Sequence, residues 1–350
     1  MTRPSRSTPL EETRGASASG ELLLEVRDLR THLDTKNGLV RAVDGVSFRL
    51  HSGETLGIIG ESGSGKSMTV LSMLQVVPKP AARIVGGEVL YRGQNLLEKN
   101  EREMRRIRGR EIAMILQDPQ TSLNPVFTIG NQIVEALRLH RRDGGGKALV
   151  HRAVEALRQV RIAAPEERIR SYPHEMSGGM KQRAVGALAI SCGPRIIVAD
   201  EPTTSLDVTI QAQYLRLLRD LQRETGLAIL FITHDFGIVA KLCRHLLVMY
   251  AGRVVEAGPV RAVFNNPAHP YTRALLGSVV RADTKAERLE AIAGQPPALW
   301  GLPSGCRFAP RCPHADDRCR KEYPPQLRVR DEASDHVASC WRLEESHGNR

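Results

Sequence analysis

The strongest chemical signal in the 350-residue sequence is the run Gly60-Glu61-Ser62-Gly63-Ser64-Gly65-Lys66-Ser67. Glycines let successive backbone N–H groups curl around an anion, where side chains would block close approach. The apolar stretch Leu56-Gly57-Ile58-Ile59 precedes the run, and a helix-compatible segment, Met68 to Gln75, follows it. Strand, glycine-rich turn and helix start form the setting in which such a loop cradles the phosphates of a nucleoside triphosphate. The helix N-terminus adds partial positive charge beneath them. In that arrangement Lys66 reaches the β and γ phosphates and the Ser67 hydroxyl ligates Mg²⁺.

Two further groups stand where such chemistry needs them. The apolar run Arg195-Ile196-Ile197-Val198-Ala199 ends in Asp200-Glu201-Pro202. An acid at the end of a buried strand can hold Mg²⁺, and its neighbour, pointing differently, can polarise an attacking water. A second apolar run, Leu227 to Thr233, ends at His234-Asp235. A lone strand-end histidine is usually structural, so His234 gains weight only from the company it keeps. The phosphate loop, Asp200-Glu201 and His234 all follow buried strands. The C-terminal edge of an open α/β sheet is where ligands bind.

The cysteines form a separate problem. Cys192 and Cys243 sit alone in apolar neighbourhoods and read as inert core residues. Cys306, Cys312, Cys319 and Cys340 crowd into the last 45 residues, separated by five, six and twenty residues. In a cytosolic chain such a group suggests metal rather than disulfides. The spacing has no Cys-x-x-Cys knuckle, which disfavours an ordinary zinc ribbon and suits a loop wrapped around a larger cluster. Zinc and unligated thiols remain as alternatives.

Composition fixes the class. Hydrophobic residues make up 41% and charged residues 25%, a soluble globular balance with enough length for two or three domains. No apolar run reaches the roughly 18–20 residues of a membrane span, and the N-terminus lacks an apolar signal core, so a cytosolic location is expected. The net charge of +11 is spread along the chain, and aromatics make up only 4%. Stacking platforms for single-stranded nucleic acid are therefore sparse, and a basic surface beside an anionic membrane, or simply a genomic Arg bias, is the better reading.

The elements that must position these groups can be read in order. Residues 1–20, rich in Ser, Thr, Arg and Gly, read as a disordered tail. Leu22–Val26, Val40–Val43 and Val46–Leu50, punctuated by Gly38, Gly45 and Gly53, suggest short antiparallel strands, with Gly86–Tyr91 as one more strand of that layer. Glu98–Arg110 reads as an exposed helix and Ile112–Leu116 as a short buried strand. Residues 128–190 are helix-rich, with Gly144-Gly145-Gly146 as a flexible link. Met176-Ser177-Gly178-Gly179 opens another helix, capped by Ser177. A helix near Thr209–Thr225 follows the two acids, and Leu246–Tyr250 with Val254–Glu256 reads as a hairpin that closes the sheet.

Together these residues resemble an ATP-binding-cassette ATPase, the nucleotide-binding subunit of a membrane transporter, over about residues 22–260. The resemblance implies an α/β fold: a P-loop core with an N-terminal antiparallel β layer, a helical subdomain at about 118–190, and a small Cys-rich extension over 261–350. It gives Gly60 to Ser67 the role of phosphate loop and Gln117 that of the lid glutamine, touching Mg²⁺ and the lytic water. Ser177-Gly178-Gly179 matches the family signature, with Met176 where Leu is usual. Asp200 becomes the Mg²⁺ acid, Glu201 the catalytic glutamate and His234 the switch histidine. Ser205-Leu206-Asp207 becomes the loop at the dimer interface, with Asp207 at the nucleotide.

The signature at a helix N-terminus is a second phosphate clamp. In the family the two clamps close on one ATP only when two ATPase subunits pair head to tail. The sequence departs from the family where adenine usually stacks on an aromatic ring: Leu33 stands there, beside His32.

A finer resemblance is to oligopeptide/dipeptide and nickel importers. It rests on Gln117-Asp118-Pro119 with Ser122-Leu123-Asn124-Pro125, on His269-Pro270-Tyr271-Thr272-Arg273-Ala274-Leu275-Leu276, and on the tail from Gly305 to Trp341. It implies a 4Fe–4S cluster on the four clustered cysteines. It also implies a paralogous second ATPase, two transmembrane permeases and an extracytoplasmic peptide-binding protein, with this chain on the cytoplasmic face of the membrane. Nickel or another metal complex is the alternative cargo. A soluble cassette acting on nucleic acid or ribosomes is a further alternative, disfavoured because the sequence has one phosphate loop, one signature and no heptad run.

Overall fold

The computed structural model describes residues 20–140, 145–204, 206–278, 292–330 and 335–344. The expected N-terminal tail, apart from Gly20, lies outside the described residues, as do Gly144 and Ser205.

Alternating apolar residues near the N-terminus build two long strands rather than three short ones. β1 (Leu22–Thr35) and β2 (Gly38–His51) pair antiparallel along most of their length. Gly45 does not break β2. It sits inside the strand at φ +85°, and the ladder skips it, with Leu29 facing Val46 and Arg30 facing Asp44. An extra residue absorbed in this way is a β-bulge, and glycine tolerates the left-handed backbone it needs.

β3 (Thr55–Ile59) is buried throughout and leads through the glycine-rich loop into α1 (Lys66–Met73). β4 (Ala82–Tyr91) pairs with β1, and β5 (Gln94–Asn95) turns back on β4, giving a four-stranded sheet of order β2-β1-β4-β5. α2 (Glu101–Ile107) is shorter than the charge pattern suggests, because Asn100 and Glu103 close a capping box at its start.

β6 (Ile112–Ile115) precedes a run of helices: α3 (Pro119–Ser122), α4 (Ile129–His140), α5 (Gly146–Gln159), α6 (Pro165–Arg168) and α7 (Gly178–Ile190). The sheet then resumes with β7 (Ile196–Asp200), α8 (Val208–Thr225), β8 (Ala228–Thr233), α9 (Phe236–Leu242), β9 (His245–Tyr250) and β10 (Arg253–Pro259). α10 (Val260–Asn265), α11 (Pro270–Gly277), α12 (Asp317–Lys321), β11 (Leu327–Arg328) and β12 (Val337–Ala338) complete the described chain.

The second sheet has eight strands in the order β11-β12-β10-β9-β3-β8-β7-β6. Its five strands from β9 to β6 run parallel, and their near-continuous Ile, Val, Leu and Ala runs are what a sheet covered on both faces requires. One core cluster lies between this sheet and the helices and includes Leu137, Leu157, Ala184, Ile197, Tyr214 and Phe231. A second, with Leu24, Val43, Ile58, Val70, Val198 and Leu230, joins the two sheets. Among the described residues no helix is long and apolar enough to cross a membrane.

Two expectations need correction. The β9–β10 hairpin does not close the sheet, because β12 pairs with β10 through Glu256 and Ala257, and β11 pairs with β12. The Cys-rich extension does not stand apart either: beside small clusters of its own, such as Ala309, Cys319 and Trp341, it shares a larger one with the cassette. Tyr250 of β9, Tyr271 of α11 and Phe308 pack as three rings with centroids 4.5, 5.3 and 5.4 Å apart, inside a cluster shared with Ile59 and Val248. Burial of this aromatic surface ties the stretch around Phe308 to the parallel sheet.

Candidate active site

The glycines of the phosphate loop are dictated by close approach. A Cβ on Gly60 would lie 2.2 Å from the carbonyl oxygen of Met249, and one on Gly65, at φ +100°, would lie 2.2 Å from that of Ala42. The loop is thus pressed between β2 and β9, and Gly65 turns it into α1. Lys66 is almost fully buried, and its Nζ donates to the carbonyls of Gly60 at 2.7 Å and Glu61 at 3.0 Å. Burial lowers its pKa, opposed by the carboxylates of Glu201, Asp200 and Glu61. Ser64 Oγ is buried with no hydrogen-bond partner among the described residues, an orphaned polar atom inside the cradle.

Asp200 ends β7, and its carboxylate bonds to the hydroxyl of Ser67 at the start of α1. Burial raises its pKa, the Ser67 hydrogen bond lowers it, the neighbouring Glu201 raises it and Lys66 lowers it. Hydroxyl and carboxylate meeting beside a buried lysine form a hard-oxygen donor set of the kind Mg²⁺ takes together with phosphate oxygens.

Glu201 leaves the strand at φ +47°, with its N–H donating to the carbonyl of Ile232 at 2.9 Å. A left-handed turn at a glutamate is uncommon, and such turns cluster at functional sites. Three side chains converge on one oxygen of its carboxylate. Gln117 Nε2 lies 3.1 Å from Oε2, Thr204 Oγ1 3.1 Å and His234 Nδ1 3.4 Å. Sequence reasoning missed Thr204; its signal was its place three residues after Glu201, within reach of that side chain.

The other expected site residues are not all gathered there. Ser177 and Gly178 are exposed at the start of α7, and Ser177 caps that helix by accepting from Met180 N. Gly179 packs against Ile210 of α8. Asp207 is the N-cap of α8, accepting from Ile210 N at 2.9 Å, so its carboxylate is engaged in its own chain. Leu33 is half-buried on β1 opposite Val40; His32, opposite Arg41, has a buried Nε2 with no partner among the described residues.

No sequence signal places the C-terminal residues against the phosphate loop. Tyr271 accepts a hydrogen bond at its hydroxyl from the N–H of Glu61 at 2.9 Å. Arg311 grips the Glu61 carboxylate with both Nη atoms, at 2.7 and 3.1 Å. Asp44 on β2 is almost fully buried against Arg30 at 2.8 Å, Arg253 at 2.9 Å and Arg307. These pairings hold its carboxyl below the usual range against the opposing cost of burial. The N–H of Asp44 donates to Gly252, whose own N–H donates to Ser64 of the loop.

Cys306, Cys312, Cys319 and Cys340 line one small pocket together with His314. Among the described residues, however, no group of three or more His, Cys, Asp or Glu side chains has the spacing to hold a metal ion. Burial raises all four thiol pKa values, that of Cys306 to about 11. Cys192 and Cys243 lie in apolar packing, as the sequence indicated.

A family model described as ABC transporter matches residues 43–204, and one described as oligopeptide/dipeptide transporter, C-terminal region, matches residues 255–319. A probable peptide ABC transporter ATP-binding protein of Sinorhizobium fredii is 52% identical over 331 residues, covering 94% of this chain and 98% of that protein. The dipeptide transport ATP-binding protein DppD of Bacillus subtilis is 46% identical over 321 residues, covering 92% and 95%. Among solved structures, a dimeric ATP-binding cassette in a post-hydrolysis state, bound to ADP and Pi, aligns with a TM-score of 0.61 at 25% identity. That alignment covers 68% of this chain and 99% of that one. Fold and loop geometry define an ATP-binding cassette, and the chain belongs to the ABC transporter ATP-binding family. Within that family it is similar to the members that carry the oligopeptide/dipeptide transporter C-terminal region.

Proposed function

We propose that the chain is the ATP-hydrolysing subunit of a membrane importer that takes up dipeptides or oligopeptides. The observation that carries the reading is the meeting of Gln117, Thr204 and His234 on Glu201 Oε2, beside the Ser67–Asp200 pair and the buried Lys66. Residues Gly60 to Ser67 receive the phosphates, with Lys66 on the β and γ groups. Ser67 and Asp200 would hold Mg²⁺ within reach of Gln117, and the ion would supply charge neutralisation at the phosphates. Glu201 accepts a proton from a water as its oxygen attacks the γ-phosphorus; the bond to the β–γ bridging oxygen breaks, leaving ADP and phosphate. His234 and Thr204 fix the orientation of Glu201.

The exposed Ser177-Gly178-Gly179 turn belongs to a second nucleotide site across a head-to-tail pair, reaching the ATP of a paralogous ATPase, with Asp207 at the same interface. The pair works on the cytoplasmic face of the membrane with two permease subunits and an external peptide-binding protein. Peptide cargo is favoured over nickel, and over any role on nucleic acid or ribosomes, by the C-terminal family model and by the peptide importers among the relatives. The four thiols lining one pocket are the soft donor type a 4Fe–4S cluster takes, but as placed no three of them form a metal site, so a cluster there would have to draw them together.

Glu201→Gln tests the reading. In the assembled transporter it keeps ATP binding and lowers steady-state hydrolysis by at least about 10²-fold. Undiminished hydrolysis refutes the assignment of Glu201.

A further inference from the structure

The second residue of the phosphate loop is an acid, which is unexpected beside a tetra-anionic ligand. Glu61 is one of three carboxylates whose field acts on Lys66. Left alone, it would repel the phosphates that Lys66 attracts. It is not left alone. Arg311 meets it in a two-pronged pair, one Nη 2.7 Å from Oε2 and the other 3.1 Å from Oε1. The Arg311 side chain is 4% exposed and that of Glu61 27%. Three further contacts fix the guanidinium: its Nε donates to Ala293 O at 2.9 Å, and its Nη atoms donate to Tyr250 OH at 3.3 Å and Ile292 O at 3.4 Å. A planar fork held in this way delivers its charge to one place and loses little side-chain freedom in doing so.

The backbone of Glu61 is held from the same side. Its N–H donates to the hydroxyl of Tyr271 at 2.9 Å, while its carbonyl accepts from Lys66. Carboxylate, N–H and carbonyl of this one residue are therefore all engaged. Two of its partners come from the C-terminal stretch, 210 and 250 positions away in the sequence.

We infer that Arg311 is a positioning residue for ATP binding: it neutralises Glu61 and, with Tyr271, sets the entrance of the phosphate loop. The C-terminal region is thereby part of the nucleotide site's construction rather than a separate attachment. The inference rests on reading Gly60–Ser67 as the ATP phosphate loop. It adds that ATP affinity depends on a contact made by residues beyond the cassette core. Arg311 touches no reacting atom, so its removal should weaken binding while leaving the chemical step largely intact.

The test is a double-mutant cycle on the full chain, read as equilibrium MgATP binding. Arg311→Met keeps most of the buried stem volume and removes the charge, leaving Glu61 unneutralised. The dissociation constant is expected to rise about tenfold, the effect of roughly one unbalanced charge near the phosphates. Arg311→Lys, which keeps the charge without the fork, should give a smaller rise. In a Glu61→Gln background the same Arg311→Met change should alter the constant by less than about twofold, because no carboxylate remains to neutralise. In the assembled transporter, Arg311→Met should raise KM for ATP with kcat within about twofold of the parent.

An equal loss of affinity with and without the Glu61 carboxylate would show that Arg311 merely supports the fold, and would overturn the inference. A fall in kcat at unchanged KM would overturn it too. If Arg311→Met does not fold, the Arg311→Lys arm decides: affinity unchanged in both backgrounds refutes the pairing. Failure of the unmodified chain to bind MgATP would remove the phosphate-loop reading itself, an outcome distinct from a missing coupling.

Discussion

Removing the charge of Asp44 is the sharpest test of how the β layer, the sheet and the C-terminal stretch are locked together. Its side chain is 3% exposed and faces Arg30, Arg253 and Arg307, of which Arg307 is 4% exposed. Asp44→Asn keeps the shape and one acceptor oxygen but leaves three guanidinium groups around a neutral amide. Arg307, buried and also bonded to the carbonyl of Ala251, cannot relax into water. Breaking a buried pair from one side costs roughly 3–5 kcal/mol. At about 1.4 °C per kcal/mol for a chain of this size, the melting temperature at pH 7 should fall by about 4–7 °C. Circular dichroism melts of parent and variant measure it.

The pH dependence gives an independent check. The Asp44 carboxyl is depressed below its ordinary value of 3.8. Its contribution is therefore present above about pH 4 and is lost as pH falls through the folded-state value. The gap between parent and variant should narrow as the pH is lowered below 4. A difference of less than about 1 °C at pH 7, or a gap that stays constant in acid, would refute the argument.

The remaining predictions concern the far end of the chain. His245 bonds Asp335 at 3.1 Å and Glu54 at 2.5 Å, and these bonds raise its pKa from 6.5 to about 9. That contribution is complete below about pH 6.5 and is lost as pH rises through 9. His245→Asn should therefore reduce stability at pH 6 more than at pH 9.5, as denaturant titrations at the two pH values would show. Phe308→Ala removes a ring packed against Tyr250 and Tyr271. It should cost roughly 3–5 kcal/mol in urea unfolding, whereas a peripheral ring would cost under 1. Anaerobically purified protein should carry iron and visible absorbance that Cys306→Ser with Cys312→Ser abolishes. A colourless parent that contains zinc or no metal would rule out the cluster.

The nucleotide site was legible because its chemistry is local. A glycine loop between strand and helix, and acids at the end of an apolar run, each signal themselves within ten residues. What escaped was non-local or depended on packing. Gly45 reads as a break but is a bulge, because the partner strand, not the sequence, decides whether an extra residue ends pairing. Thr204 and the orientation of Glu201 follow from a left-handed turn that no periodicity encodes. Arg311 and Arg307 look like ordinary surface residues of a proline-rich tail; the aromatic packing around Phe308 sets Arg311 and Tyr271 against Glu61 of the loop and Arg307 against Asp44. Asp207, expected at the nucleotide, caps α8, a role equally open to an Asp at that position. Ser205 lies outside the described residues.

The two short strands beyond β10 matter more than their length suggests. Without them, the backbone of Glu256 and Ala257 would present unpaired N–H and C=O groups beside Tyr250, Val255 and Val260, an invitation to strand addition between molecules. Glu256 would also lose His336, its buried partner at 2.9 Å. A recombinant cassette cut near residue 265, the boundary a minimal nucleotide-binding domain would suggest, should therefore self-associate. Biochemistry on this protein is best done with its tail in place.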